Sequence, residues 1–318
     1  MAASPLKIGI VMDPIGSIVP KKDSSFAMLL EAKRRCAEIH YFEQRDLNML
    51  AGKAYGRSRR LDVVDDHDAW FELGEAQEIE LGQLDAILMR KDPPFDMEYV
   101  YTTYILDRAK LAGTLIVNDP QALRDMNEKV YTAWFPECTP LSLITRSMSE
   151  MKSFLTNHGR IVVKPLHGMG GRSIFVVQKG DNNANVIFET LTDYGQRFAM
   201  AQRYIPEISL GDKRIILIDG EPVSHALARI PSGDDNRGNI VAGATTKGQD
   251  LSERDRSICE QVGPVLRDAG VLFAGIDVIG DFLTEVNVTS PTGIRELDRM
   301  FQLNIAGTLF DAIENKLG

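Results

Sequence analysis

The sequence predicts a mixed α/β and α+β protein whose N-terminal part is an open α/β domain. Two patterns predict this class: strands of the buried kind alternate with helices over about the first 124 residues, and glycine-containing hairpins follow in the rest of the chain. The length is a third observation, because 318 residues exceed one small core and fit two or three domains.

Composition and charge exclude several classes of protein. The net charge of −9, without a basic block, argues against a nucleic-acid partner. Cys36, Cys138 and Cys259 are far apart and show no CxxC or Cys/His spacing, so neither a disulfide framework nor a zinc site is indicated. No apolar targeting core and no membrane-spanning run is present in the sequence. We therefore expect a soluble, cytoplasmic protein without membrane or nucleic-acid partners.

The N-terminal domain begins with a buried strand at residues 7–12, written K-I-G-I-V-M. Apolar residues at helical spacing predict a helix over 26–37, with Ser24 or Ser25 as its N-cap. The alternation continues with strands at 38–43, 84–89 and 115–118 and a helix at 98–112.

Charged residues follow these strands at the edge where open α/β sheets bind ligands. Lys21 and Lys22 come after the first strand, and Arg90 directly follows the strand at 84–89. The lysines could equally be solvated surface residues. Arg90 precedes the rigid Asp92-Pro93-Pro94 segment, which fixes where its side chain points. We expect Lys22 and Arg90 beside a shared cleft.

A glycine-rich run, I-V-V-K-P-L-H-G-M-G-G-R-S-I-F-V-V, occupies residues 161–177. Strands flank it on both sides, whereas GxxxxGK[ST] and GxGxxG motifs open a helix. It therefore predicts a hairpin flap whose backbone amides approach phosphate oxygens, with Lys164 as a point charge; a plain turn is the alternative. Around it we predict helices at 121–134 and 148–158, the second capped by Ser147, and a strand at 143–145.

Two segments after the flap are suited to a nucleotide and an anion. Residues 198–206 form a strand that runs into an extended linker, which can offer backbone groups to an adenine edge. Asp219-Gly220 predicts a two-residue hairpin turn that pairs Arg214 with His225. That register places Asp212, Arg214, His225 and Arg229 on one face, either as an anion site or as a salt-bridged exposed face.

A polar, glycine-rich run at residues 231–248 predicts a mobile lid, because strands of one domain lie on both sides of it. Helices are predicted at 251–269, with Ser252 as the cap, and at 304–316.

The stretch 273–296, F-A-G-I-D-V-I-G-D-F-L-T-E-V-N-V-T-S-P-T-G-I-R-E, predicts two short antiparallel strands. Glu285 and Asn287 share a face, because strand side chains repeat every second residue. Asp277 joins them only if it pairs with Glu285, which requires an odd-numbered connection or a bulge rather than a two-residue turn, and we predict a loop centred on Asp281. Hard oxygen ligands of this kind suit Mg²⁺; a solvated strand edge is the alternative.

The tail 289–295, T-S-P-T-G-I-R, favours a metal site over a solvated strand edge. It places hydroxyls and a guanidinium just beyond the carboxylates, where a carboxylate or phosphate could be held.

With these segments in order, the chain resembles the ATP-grasp superfamily, and within it the prokaryotic glutathione synthetase family. The resemblance covers nearly the whole length. It rests on the motifs M-R-K-D-P-P-F-D (89–96), N-E-K (127–129), K-P-L-H-G-M-G-G (164–171), G-D-K-R (211–214), L-A-R-I-P (227–231), R-G-N (237–239) and T-E-V-N-V-T-S-P-T-G-I-R-E (284–296). The first and last motifs are specific to this family.

The resemblance implies an ATP-grasp fold with a Rossmann-like N-terminal domain at 1–124, a small α+β subdomain with the flap at 125–203, and a C-terminal domain with the lid and metal site at 204–318. It implies an ATP-dependent ligase that joins γ-glutamylcysteine and glycine through an acyl phosphate, with ATP and Mg²⁺ or Mn²⁺ as cofactors. A homo-oligomer, specifically a tetramer, is also implied.

Site residues follow from the resemblance by position. ATP would contact Lys129, Lys164, Gly168, Met169, Gly170, Gly171, Gln202, Tyr204, Ile205 and Asp212. The metal would be held by Asp277, Glu285 and Asn287. The peptide and glycine would contact Lys22, Arg90, Arg214, Arg229, Arg237, Asn239, Ser290, Thr292 and Arg295, with Arg214, Arg229 and Lys164 as catalytic residues.

The chain departs from the family pattern at Ala244-Thr245, where Gly-Arg is usual, and at Gly293, where cysteine is frequent. Two alternatives to the glutathione-forming ligase remain: another ATP-grasp carboxylate–amine ligase, and a non-catalytic ATP-binding regulatory protein. A kinase that stops at phosphorylation is a further one.

Overall fold

The computed structural model describes residues 5–168, 171–231 and 245–318. These residues form three β-sheets with helices packed around them, so the predicted mixed class is confirmed. No helix in this described part is both long and apolar enough to cross a membrane. The predicted lid lies mostly outside the described residues, together with Met169, Gly170, Arg237 and Asn239.

The first sheet is a parallel sheet extended by antiparallel strands. Its strand order is β3-β4-β2-β1-β6-β7, with β5 paired to β4. The strands are β1 Lys7–Val11, β2 Glu38–Phe42, β3 Leu47–Leu50, β4 Lys53–Val63, β5 Phe71–Glu80, β6 Ala86–Met89 and β7 Leu115–Val117, and the helices are α1 Ser24–Arg34 and α2 Met97–Leu111. Strands β3, β4 and β5 occupy a region where the sequence predicted no element.

Two N-terminal predictions were wrong in detail. Helix α1 is capped by Asp23, whose Oδ1 accepts a hydrogen bond from the Phe26 amide at 2.7 Å, and not by Ser24 or Ser25.

The predicted helix at 121–134 is interrupted. Helix α3 spans Pro120–Asp125, and a separate 3-10 helix spans Val130–Trp134. The Asn127 side chain causes the break, because its Oδ1 accepts from the amides of Lys129 and Val130 and so starts the second turn anew.

The second sheet is antiparallel, in the order β10-β9-β11-β8. Its elements are β8 Ser142–Thr145, α4 Met148–His158, β9 Arg160–Pro165, β10 Phe175–Gln178, α5 Ala184–Thr192 and β11 Ala199–Arg203. Ser147 caps α4 as predicted, with its Oγ accepting from the Glu150 amide. Strands β9 and β10 pair on either side of the glycine run, which confirms that the run connects a hairpin.

The third sheet is also antiparallel, in the order β15-β14-β12-β16-β17, with β13 paired to β12. Its strands are β12 Asp212–Ile218, β13 Glu221–Pro222, β14 His225–Ile230, β15 Thr245–Asp250, β16 Phe273–Ile279 and β17 Phe282–Asn287, and the helices are α6 Glu253–Asp268, α7 Ile294–Phe301 and α8 Ile305–Leu317.

The predicted register of the β12–β14 hairpin was wrong by two residues. Arg214 faces Leu227, not His225, and Asp212 faces Arg229. The shift arises because Val223 and Ser224 separate the short strand β13 from β14. His225 therefore lies two residues further along the strand than predicted, does not line the cavity, and stacks on Phe301 with 3.7 Å between ring centroids.

The sheets share buried cores. One cluster joins Ile8 and Phe26 of the first sheet and its helix to Ile216 of the third sheet and to Phe310 of α8. The C-terminal helices therefore pack against the N-terminal sheet, which positions the tail after β17 next to α1. The domain limits at 124 and 203 stay a prediction.

Candidate active site

A cavity of about 910 Å³ lies between the three sheets. It is lined by most of the residues that the sequence predicted for the site. These are Lys22, Lys129, Lys164, Gly168, Gly171, Gln202, Tyr204, Ile205, Asp212, Arg214, Arg229, Asp277, Glu285, Asn287, Ser290 and Thr292. Residues far apart in the sequence thus converge on one chamber.

The β16–β17 hairpin brings the predicted metal ligands together. Asp277 pairs with Glu285 as predicted. The connection is nevertheless a two-residue turn at Gly280-Asp281, because Ile279 pairs with Phe282, and a bulge at Thr284 supplies the register change. The bulge was one of the two predicted alternatives and is confirmed; only the exclusion of a two-residue turn was wrong, since turn and bulge occur together. The Asn287 amide nitrogen lies 3.4 Å from Asp277 Oδ2.

A buried network of two acids and two arginines forms the wall beside this hairpin. Arg214 binds Asp277 through two contacts, Nε to Oδ1 at 2.5 Å and Nη2 to Oδ2 at 2.9 Å. Arg229 Nη2 lies 2.9 Å from Asp277 Oδ2 and 2.5 Å from Asp212 Oδ2. Among the described residues, Asp212 Oδ1 and Arg229 Nε have no hydrogen-bond partner. The network is therefore incompletely bonded, although both residues line the cavity.

Burial and neighbouring charges shift the pKa values of Asp277 and Asp212 in opposite directions. Burial acts to raise the pKa of Asp277, but Arg214 and Arg229 outweigh it and hold that pKa well below its usual range. Burial also raises the pKa of Asp212. The charge of Arg229 acts to lower that pKa but does not outweigh burial. Asp277 is thus the firmly ionised member of the network.

Two buried lysines stand around Glu285. Lys129 Nζ lies 2.6 Å from Glu128 Oε1, 3.2 Å from the Gly168 carbonyl and 3.8 Å from Glu285 Oε1. Burial acts to lower its pKa, but Glu285 and Glu128 outweigh burial and raise it. Burial lowers the pKa of Lys164, whose Nζ lies 3.4 Å from the Thr284 carbonyl. Two ammonium groups thus lie at the base of the glycine hairpin.

The part of the cavity beside the second sheet is a mostly apolar slot. The Gln202 amide is buried and donates to Ser142 Oγ at 2.9 Å. Tyr204 and Ile205 follow in extended backbone, and the Arg160 guanidinium lies 3.8 Å from the centroid of the Tyr204 ring. Val162, Phe175 and Ile208 also line the cavity. A flat heterocycle fits a slot of this kind.

Arg90 and Arg295 do not line the cavity. Arg90 is buried behind its wall, with Nε donating to Ser25 Oγ and Nη2 to the Pro291 carbonyl, both at 3.0 Å. Its Nη1 lacks a partner in the part of the chain that the structure describes. Arg295 instead pairs with Asp65 at 2.7 Å. Arg90 therefore supports the tail at 290–292.

Several site residues were missed by the sequence prediction. Ser24 Oγ accepts hydrogen bonds from the amides of Gly293 and Ile294, at 3.1 and 3.2 Å, and so caps α7 from a distant part of the chain. No local pattern shows such a contact. Asp92 lines the cavity and accepts from Ser290 Oγ at 2.5 Å. The sequence did contain a signal for Asp92, because this residue lies in the rigid segment directly after Arg90.

Glu296 was also missed, although it ends the tail motif. It is buried and lines the cavity, and within the described ranges its Oε2 has no hydrogen-bond partner. Burial raises the pKa of this carboxyl. Lys22 lies at the same end of the cavity.

Comparison with known proteins identifies the family. The family model for the prokaryotic glutathione synthetase N-terminal domain matches residues 6–124, and that for the ATP-grasp domain of the same family matches residues 128–302. The chain belongs to the prokaryotic glutathione synthetase family. A glutathione synthetase from Salmonella typhimurium is 56% identical over 98% of this chain and 99% of its own length. One from Vibrio parahaemolyticus is 55% identical with the same coverage.

Solved structures agree on the fold of this family member. The D-cycloserine synthetase DcsG superposes with a TM-score of 0.68 at 14% identity, covering 98% of this chain and 100% of that one. The ATP-grasp ligase PsnB, in complex with a minimal precursor, Mg and ADP, superposes with a TM-score of 0.64 at 15% identity, covering 100% of both chains. The predicted ATP-grasp fold is therefore confirmed.

Proposed function

We propose that this chain is an ATP-dependent ligase that joins γ-glutamylcysteine to glycine, forms glutathione through an acyl phosphate, and releases ADP and phosphate. One observation carries the proposal: a single cavity holds two buried lysines below a glycine hairpin and, beside them, two buried arginines anchored on Asp277. The lysines suit a triphosphate, and the arginines suit a carboxylate and the oxyanion formed from it.

ATP would lie along the second sheet. Lys129 and Lys164 would meet the phosphates, and the glycine-rich run at 168–171, predicted as a flap, would cover them. Gln202, Tyr204 and Ile205 hold the adenine, and Asp212 lies near the ribose. Burial lowers the pKa of Lys164 and the charge of Glu285 does not outweigh it, and no ion pair of Lys164 is found within the described part of the chain, so a phosphate would supply counter-charge.

The donor set of the β16–β17 hairpin fits Mg²⁺ or Mn²⁺. Among the described residues Glu285 has a single charged contact, at 3.8 Å to Lys129, and Asn287 follows it on the same face of the strand with an amide oxygen, so two hard oxygen ligands are available. Both oxygens of Asp277 accept from guanidinium groups, which favours Glu285 and Asn287 as direct ligands and Asp277 as the group that orients the arginines. When bound, the ion would offset charge on the transferring phosphoryl group.

The chain's own residues then support two steps. The cysteinyl carboxylate attacks the γ-phosphorus of ATP and ADP leaves, with Lys164 balancing charge on the transferred oxygens. The glycine amine attacks the acyl carbon, phosphate departs with the amine proton, and Arg214 or Arg229 stabilises the tetrahedral oxyanion. The predicted lid, with Arg237 and Asn239, would exclude water from the acyl phosphate.

The dipeptide would occupy the end of the cavity formed by the tail. Lys22, Ser290 and Thr292 contact its carboxylates and backbone, and Arg90 and Arg295 hold the tail in position. Its γ-glutamyl end carries an α-ammonium beside an α-carboxylate, so this end needs an acid as well as a cation. We assign the acid to Glu296, because this residue lines the cavity together with Lys22 and its Oε2 has no hydrogen-bond partner among the described residues.

An isotope experiment tests the reaction. γ-Glutamylcysteine labelled with ¹⁸O in its cysteinyl carboxylate is incubated with ATP, Mg²⁺ and a panel of amino acids, and products are identified by mass spectrometry. We expect glutathione with glycine, and one labelled oxygen in the released phosphate.

Each alternative gives a different outcome in that experiment. A different amine or acid partner would indicate another carboxylate–amine ligase. Phosphorylated dipeptide that accumulates without an amine would indicate a kinase. The absence of turnover with every amine would favour a regulatory ATP-binding protein and contradict the proposal.

Two further parts of the proposal concern the state of the protein in the cell. We place the enzyme in the cytoplasm, where its small-molecule substrates are made, and we expect a homo-oligomer. The tetramer implied by the resemblance stays a prediction.

A further inference from the structure

One residue of the β16–β17 hairpin is left over by the strand register. Asp277 pairs with Glu285, and Val278 pairs with Leu283, so Thr284 is the extra residue of a β-bulge. Its side chain is buried. The Thr284 hydroxyl donates a hydrogen bond to the backbone carbonyl of Asp277 at 3.1 Å. A single side chain therefore bonds the bulged strand to the opposite strand at the point where the register changes.

The bulge decides which side chains share a face of the hairpin. The register beside the turn, continued without the bulge, would pair Asp277 with Thr284. Side chains of paired residues lie on the same face and alternate along each strand, so Glu285 and Asn287 would then lie on the face opposite to Asp277. The extra residue reverses this arrangement. It is the reason why Asp277, Glu285 and Asn287 share one face.

The outer edge of β17 shows the same change of phase. The Leu283 amide donates to the Cys138 carbonyl and the Val286 amide donates to the Glu128 carbonyl, both at 2.8 Å. Backbone amides on one edge of a regular antiparallel strand recur every second residue, whereas these two are three residues apart. Thr284 lies between them. The extra residue thus keeps β17 paired with β16 on one side and with the segment from Glu128 to Cys138 on the other.

The backbone of the same residue contacts a lysine of the second sheet. Lys164 Nζ lies 3.4 Å from the Thr284 carbonyl oxygen. Lys164 is buried, and both residues line the cavity. The hydroxyl and the carbonyl of Thr284 therefore connect groups from two different sheets, namely the strand that carries Asp277 and the ammonium that would meet the phosphates.

We propose that Thr284 is a positioning residue for the metal and phosphate groups of the site. Its hydroxyl fixes the bulge that gathers Asp277, Glu285 and Asn287 on one face, and its carbonyl accepts from Lys164. The hydroxyl proton is donated to the backbone, so Thr284 acts through its neighbours and not by contact with a substrate. This role rests on the proposed function, which assigns Glu285 and Asn287 to the metal.

Mn²⁺ binding in the presence of a non-hydrolysable ATP analogue tests this role without turnover. Electron paramagnetic resonance measures the free ion and gives the dissociation constant. Thr284→Val keeps the shape of the side chain but removes the hydroxyl. We expect it to bind Mn²⁺ about 10- to 100-fold more weakly, which is the range for losing a group that orients metal ligands. Thr284→Ser keeps the hydroxyl and should recover most of the affinity.

Thr114→Val is the matched control. Thr114 is also buried, and its Oγ1 donates to the Leu81 and Leu84 carbonyls at 2.9 Å, beside the first sheet. Its substitution should lower the temperature of thermal unfolding, as that of Thr284 does, but should leave the affinity for Mn²⁺ unchanged. If Thr284→Val bound Mn²⁺ as tightly as the wild type, the proposal would be overturned, because the hydroxyl would then contribute to stability alone.

A second pair of variants applies if Thr284→Val does not fold. Thr284→Ser and Thr284→Ala both lack the methyl group and differ only in the hydroxyl, so equal Mn²⁺ affinities in this pair would also overturn the role. Assays of glutathione formation separate the role from the proposed function. A wild type that makes no glutathione but shows the expected differences in Mn²⁺ binding would contradict the ligase and support the role of Thr284. Glutathione formation with Mn²⁺ binding unchanged among the variants would do the reverse.

Discussion

Two charge networks in this protein, one buried and one partly exposed, both join arginines to carboxylates but differ in how completely they are bonded. In the cavity, Arg214 and Arg229 bind Asp277 and Asp212. Between α1 and α8, Arg35 binds Glu31, Asp311 and Glu314. We call these the cavity network and the helix network.

The helix network is closed. Both carboxylate oxygens of Glu31 accept hydrogen bonds, from Arg34, Arg35 and Asn304. The cavity network is open, with one oxygen of Asp212 and one nitrogen of Arg229 unpaired within the residues described. Buried polar atoms are normally paired, so unpaired ones on residues that line a cavity are candidates for contact with a ligand. Among the described residues, Arg90 also has an unpaired nitrogen but does not line the cavity, so incomplete bonding indicates a site only together with a place in the cavity wall.

The largest expected effect comes from making the same substitution in both networks. Arg229→Lys keeps the charge but loses the planar fork that contacts Asp212 and Asp277 together. We expect kcat for glutathione formation to fall roughly 10²–10³-fold, which is the range for losing one oxyanion-stabilising donor. Steady-state assays measure this, and thermal unfolding should show a folded variant.

Arg35→Lys is the control for that prediction. It should leave kcat unchanged and lower the free energy of unfolding by about 1–3 kcal/mol, because Arg35 makes several charged contacts. If both substitutions lowered kcat equally, the distinction between an open and a closed network would be wrong.

The pH dependence of stability sharpens the comparison. Burial acts to raise the pKa of Glu31, but its bonds to Arg34, Arg35 and Asn304 outweigh burial and lower that pKa to about 2 from its usual 4.5. A lowered acid pKa stabilises the fold above pH 4.5, and the stabilisation is lost as the pH falls from 4.5 towards 2. The full contribution is about 3 kcal/mol.

Glu31→Gln should therefore unfold at lower urea concentration than the wild type at neutral pH, and the difference should shrink as the pH falls through that window. The exposed Glu260→Gln is the control, and its midpoint should follow the wild type. A difference between Glu31→Gln and the wild type that is constant with pH would show that the acid contributes through packing alone.

Much of the cavity could be predicted from the sequence because its residues sit in short, regular patterns. Alternation placed Glu285 and Asn287 on one face, and strands on both sides of the glycine run indicated a hairpin above Lys164. What could not be fixed from the sequence depended on local irregularities within two hairpins. The bulge at Thr284 and the irregular Val223-Ser224 step set two registers, and neither has a distinctive composition.

Other parts of the fold lacked the apolar patterns on which prediction depends. Strands β4 and β5 carry many charged residues and expose much of their surface, so they show little of the buried-strand pattern. Ser24 and Ser25 were taken as candidates for a local helix cap, which is the common role of serine. Their hydroxyls instead accept from the α7 amides and from Arg90, and only the packing of α1 against α7 creates those contacts.

The smallest expected effect concerns Glu296, an acid outside the cavity network that also has an unpaired oxygen. Its substitution tests whether this oxygen, too, indicates a contact with a ligand. Glu296→Gln removes the charge that we assign to the α-ammonium of γ-glutamylcysteine. A charged hydrogen bond contributes about 1.5–3 kcal/mol, so KM for the dipeptide should rise about 10- to 100-fold. The KM for glycine should not change, because the ammonium that we assign to Glu296 belongs to the dipeptide and not to glycine.

An analogue of the dipeptide that lacks the α-amino group shows whether the two groups meet. The wild type should lose the same factor with the analogue that Glu296→Gln loses with the natural dipeptide, and the variant should lose nothing further with the analogue. Equal losses in both enzymes would mean that Glu296 does not contact the ammonium. The raised pKa of Glu296 would then reflect only the burial of a structural acid, and an unpaired oxygen alone would not be sufficient to identify a binding group.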